Sequence, residues 1–129
     1  MKNLLILLLI LFAFSCTDKS VEEAAKLKEE TFKIHDDVMP ISMNLEDLKE
    51  KVMKKVETDT TEKKQALGIS LALDKAYNDM EVWMPKLGAA ADMKDGEEKV
   101  KVFTELKAEG EKIKQNTLDV KKKVEEFLK

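Results

Sequence analysis

Apolar residues recur every seven positions through most of this chain, and they do so in pairs of interleaved rows. Near the start the rows read Leu27, Ile34, Ile41 and Leu48, alongside Val38, Leu45 and Val52, with Thr31 as a polar exception. Near the end they read Leu106, Ile113, Val120 and Phe127, alongside Phe103, Gly110, Thr117 and Val124. Two such rows form one stripe on a 3.6-residue helix, the pattern of a helix packed on other helices. A strand would need alternation at every second position instead. Between them lies a third stripe: Ala66, Ile69, Leu73, Ala76, Met80, Trp83 and Leu87. The chain is therefore expected to be all-α.

Start and stop signals divide these stripes into three segments. Ser20 with Glu23, Asp59 with Glu62, and Asp95 with Glu98 each fit a capping box. Pro85 and Gly88 are expected to end the second segment. Pro40 falls inside the first. Because the stripe keeps its register through it, one helix kinked near Asp36–Pro40 is expected rather than two helices. The resulting architecture is an antiparallel three-helix bundle over residues 20–129, with helices at about 20–57, 60–87 and 96–128.

The first sixteen residues have a different character. A short basic start, Met1-Lys2-Asn3, precedes an unbroken apolar run from Leu4 to Phe14. Eleven residues are too few to cross a bilayer, which takes about twenty. The layout is that of a signal peptide over residues 1–15. Ala13-Phe14-Ser15 places small residues three and one positions before Cys16, the only cysteine. An exported chain with a single thiol calls for an explanation. Acylation of Cys16 supplies one, with residues 16–19 as a tether. The stretch resembles a bacterial lipobox, with Ala13 where Leu is usual and Phe14 in the middle; it also fits an ordinary small-x-small cleavage site, which would leave a secreted soluble protein with a free N-terminal Cys16. Thr17, rather than Asp, after the cysteine favours the outer membrane. The expected partners are thus a membrane, through the lipid, and an envelope protein. The heptad rows also admit self-association.

Charge excludes one class of partner. With the leader removed, 22 lysines face 26 acidic residues, and there is no arginine. Bidentate phosphate and base recognition favours Arg, so nucleic acid is not an expected partner. The charges are interspersed, as in Lys26-Leu27-Lys28-Glu29-Glu30, which is the pattern of a solvated helix face.

One constellation has the composition of a metal site. His35, the only histidine, is followed at steps of four by Met39 and Met43, which places the three in one sector of a helix about 80° wide. Met80, Trp83 and Met84 share a face of the next helix. Antiparallel pairing about a turn near Asp59 sets His35 opposite Trp83 and Val38 opposite Met80. Imidazole and thioethers without a thiolate suit Cu(I) or Ag(I), and Trp83 offers a cation–π cover. The plainer reading is that methionines at helical spacing fill a core and the tryptophan anchors it. No catalytic arrangement emerges, and the chain is not expected to be an enzyme. Ser42 lies two turns from His35 on the same helix, Ser70 falls toward the other end, and the four glycines form no phosphate loop.

His35-Asp36-Asp37-Val38-Met39-Pro40, followed by Trp83-Met84-Pro85, resembles a pattern in small helical envelope lipoproteins of Bacteroidetes-type bacteria, some labelled viral A-type inclusion proteins. The resemblance covers the leader and the first two helices. It implies an envelope lipoprotein of helical fold and carries no activity with it.

Overall fold

The computed structural model describes residues 2–58 and 60–129, with side chains from Lys19 onward. The side chains of the leader, Cys16 among them, and the expected cap at Asp59 lie outside the described residues. The described chain is helical, in the order α1 (Lys2–Ser42), α2 (Leu45–Thr58), α3 (Lys63–Ala91) and α4 (Glu97–Phe127). Among the described residues there is no strand, and no helix is long and apolar enough to cross a membrane.

Lys, Glu, Leu, Met and Ala, all good helix formers, dominate the sequence, and tertiary burial decides which face turns inward. The stripes read from the sequence are the buried ones. All eight residues of the last pair of rows, from Phe103 to Phe127, are buried, as are all seven of the middle stripe. In the first segment Val38, Leu45 and Val52 are buried and extend through Thr31 to Ala24, while Leu27, Ile41 and Leu48 are half-buried beside them. Each large apolar side chain withdrawn from water contributes about 1.5–3 kcal/mol.

Cross-helix pairs give the directions. Lys107 donates to Glu30 at 2.8 Å and Lys114 to Asp37 at 2.7 Å, both pairs 77 residues apart, so α1 and α4 run the same way one heptad at a time. Lys49–Asp74 at 2.6 Å and Lys55–Glu62 at 3.3 Å converge on the α2–α3 turn, so those helices run oppositely. The core has two parts. Leu45, Val52, Ile69, Leu73, Val124 and Phe127 belong to one, and Val38, Met80, Trp83, Leu87, Phe103 and Leu106 to the other. The beginning of α3 therefore packs on the end of α4, and its end on the beginning of α4. This is a helical bundle whose first arm, α1 with α2, is bent.

The bend is displaced from its expected place. Both Pro40 and Asp36 lie within continuous α1, and the break comes at Met43–Asn44. Pro40 is exposed, so the carbonyl it leaves unpaired can be hydrated. Asn44 makes the break: its Nδ2 donates to the Pro40 carbonyl at 2.8 Å, and its own carbonyl accepts from Leu48 N at 3.1 Å. One residue thereby satisfies the end of α1 and the start of α2.

Other boundaries also shift. α1 is continuous from Lys2, and Ser20 lies inside it. Pro85 and Gly88 do not end α3, which continues to Ala91. Pro85 is on the solvent side, while Trp83, Leu87 and Ala90 hold the opposite face in the core. α4 begins at Glu97 with Gly96 as its N-cap, at φ 148°, a backbone conformation that favours glycine. Asp95 does not cap it. Its carboxylate accepts from Lys99 Nζ at 2.9 Å instead.

Candidate functional site

The convergence expected from the sequence exists. The His35 and Trp83 rings lie with centroids 6.5 Å apart and planes inclined by 33°, and the Phe32 ring is also 6.5 Å from that of His35. Val38 and Met80 belong to the same core part.

The two rings are committed to different partners. His35 Nδ1 lies 3.0 Å from Asp36 Oδ1, an arrangement in which the ring N–H donates to the carboxylate. Trp83 is fully buried, and its Nε1 donates to the Leu106 carbonyl at 3.1 Å. Its six-membered ring fills the space over Gly110, where an added Cβ would stand 2.9 Å from Cη2. Trp83 thus joins α3 to α4 and turns its polar handle to backbone, the ordinary arrangement for a buried indole.

The methionines separate from these rings. Met39 and Met43 on the first arm and Met80 and Met84 on α3 line one groove of about 310 Å³. Ser42 and Tyr77 line it too, with Glu46 and Glu81. His35 and Trp83 are not part of that lining. The six residues singled out from the sequence therefore divide into a tilted ring pair and a thioether groove along the same helix pair. Helical periodicity places all six on facing sides, but it cannot distinguish a side chain turned toward α4 from one turned toward the gap between α1 and α3.

Electrostatically the groove is negative. Tyr77 Oη donates to Glu81 Oε1 at 3.0 Å. That bond and the Glu81 charge, with burial and the charge of Glu46, hold the Tyr77 phenol above its ordinary range. Among the described residues, no lysine lines the groove. One polar atom there is unmatched: Ser42 Oγ is buried and has no hydrogen-bond partner among the described residues. Such atoms are rare in folded proteins. Among the described residues, no group of three or more His, Cys, Asp and Glu side chains is placed to hold a metal ion.

Sequence reasoning missed Lys99. It is buried, and its Nζ donates to the carbonyls of Ala91 and Met93 at 3.1 and 2.9 Å as well as to Asp95. It ties off the end of α3 from the first turn of α4. The signal was present in the spacing, because Lys99 continues the stripe of Phe103, Leu106 and Gly110 one step upstream.

No protein family, no curated protein and no solved structure matches the chain.

Proposed function

We propose that this chain is a lipid-anchored, non-enzymatic protein of the bacterial envelope that acts as a binding module, with Cys16 as its acylated residue. The observation that carries the reading is the placement of the only cysteine directly after an apolar leader ending in Ala13-Phe14-Ser15. Acyl chains on Cys16 would hold the helical bundle at the outer membrane, since each buried methylene contributes about 0.8 kcal/mol and two or more chains make such anchoring stable.

A binding role is supported by how the polar side chains are used. His35 is flanked by two rings and engaged with Asp36. Among the surface grooves of the described residues, the one between the first arm and α3 has a lining that joins apolar, acidic and unpartnered polar groups. An envelope protein or a smaller ligand would be received there.

The anchor is tested by expressing the wild-type chain and Cys16→Ser in a Bacteroidetes-type host. Membrane partition and intact mass are then measured. Acylation predicts a mass increase and membrane retention that are both lost in Cys16→Ser. A variant that stays membrane-bound, with its mass changed only by the substitution, excludes the lipoprotein reading.

A further inference from the structure

We propose that the thioethers of Met39, Met43, Met80 and Met84 form a binding site for one soft monovalent metal ion, Cu(I) or Ag(I), and that His35 and Trp83 stand outside it. Six methionines follow Met1, and four of them line a single groove as two pairs spaced by four residues, one pair on each side. Core filling accounts for Met80 and in part for Met39 and Met84, which pack against the same core part, but not for Met43. Met80 is buried, but Met39 and Met84 are only partly so, and Met43 is 71% exposed.

Thioether sulfur is a soft, neutral donor that selects Cu(I) and its congeners over hard divalent ions. Hard ions need six or more oxygen ligands, and no such carboxylate group is assembled among the described residues. Neutral donors leave the charge of the ion uncompensated. Glu46 and Glu81 in the same lining supply negative charge close by, with no lysine to oppose it. His35 is spoken for by Asp36 and the indole of Trp83 by Leu106 and Gly110. This site does not depend on acylation of Cys16.

The test uses the full chain carrying Cys16→Ser, so that a thiol cannot compete, and Ag(I), which needs no reductant. Native mass spectrometry gives the stoichiometry, and ¹³C-methyl methionine NMR identifies the donors. One Ag(I) per chain is expected, with methyl shifts at Met39, Met43, Met80 and Met84 and none at Met53 or Met93. Met→Leu conserves volume and keeps the fold. Met43→Leu, at an exposed position, and Met84→Leu should each weaken binding roughly tenfold or more, the least that loss of a metal's supporting group costs. His35→Ala should leave it unchanged. Absence of a one-to-one complex, shifts at Met53 or Met93, or binding lost in His35→Ala but kept in the Leu variants would each overturn the assignment.

Discussion

The indole of Trp83 occupies the space that a side chain at Gly110 would need. A Cβ built on Gly110 stands 2.9 Å from Cη2 and closer still to Cζ2, whereas one built on Gly68 or Gly88 meets nothing within 4 Å. All three glycines are inside helices. Alanine in place of a helical glycine gains about 1 kcal/mol of propensity. At Gly110 that gain is outweighed, because the indole is fixed on three sides and overpacking costs about 1–3 kcal/mol. Gly110→Ala should therefore destabilise by up to about 2 kcal/mol net, while Gly68→Ala and Gly88→Ala should each stabilise by about 0.5–1 kcal/mol. Urea unfolding followed by the fluorescence of Trp83, the only indole, distinguishes these signs. A Gly110→Ala variant as stable as Gly68→Ala would show that the indole moves aside without cost.

Thr31 and Thr117 are both fully buried, yet they differ in one bond. Thr31 Oγ1 donates to the Leu27 carbonyl at 2.6 Å, and Thr117 Oγ1 has no partner among the described residues. Valine is close in shape to threonine and removes the hydroxyl. An unpartnered buried hydroxyl carries a desolvation cost of about 1–3 kcal/mol, so Thr117→Val should raise stability by roughly 1 kcal/mol or more. Thr31→Val should instead cost about 1 kcal/mol, the net contribution of its bond to backbone. Thermal melts of the two variants under one condition decide it. Equal effects would mean that Thr117 is satisfied in solution.

Lys99 Nζ gathers two carbonyls and one carboxylate at the α3–α4 junction from a buried position. Methionine there preserves the stem but leaves those acceptors without their donor. Lys99→Met should destabilise by about 2–3 kcal/mol, the range for hydrogen bonds from a charged donor. The exposed neighbour Lys94, changed in the same way, should stay within about 0.5 kcal/mol of wild type. Protection of the Met93–Val100 amides in hydrogen exchange should fall in Lys99→Met alone. Equal protection in both variants would deny Lys99 its role at the junction.

What was legible in the sequence was periodicity, and what was not was the direction of individual side chains. The rows from Phe103 to Phe127 and from Ala66 to Leu87 give the buried faces because helix period and burial are linked directly. The facing of His35 and Trp83 follows from one more step, a short turn between antiparallel helices. Proline was a poorer guide. Pro40 and Pro85 read as a kink and a stop, but each lies on a solvent face where water can take over the lost hydrogen bond. The bend went to Asn44, whose side chain can return to backbone. The thioether groove was half legible. Its methionines stood out, but their separation from His35 and Trp83 depends on the indole turning toward Gly110, an event on a third helix.

The α1–α4 contact carries two lysine–carboxylate pairs with a defined acid response. Hydrogen bonding from Lys107, with its charge and that of Lys26, holds Glu30 below its ordinary value of 4.5 despite some desolvation. Lys114 does the same for Asp37, below 3.8, with help from Lys33. A carboxylate whose pKa is lower folded than unfolded stabilises the fold above its unfolded value and loses that contribution as pH falls through the folded value. Stability from these pairs should therefore be complete above pH about 4.5 and decline below it. Both carboxylates are solvent-exposed, so salt should shrink the effect. Urea midpoints of wild type and the Glu30→Gln, Asp37→Asn double variant should differ at pH 6 and low ionic strength. The difference should narrow toward pH 3 and in high salt. A gap that persists unchanged at pH 3 would mean that the substitutions act through packing and not through charge.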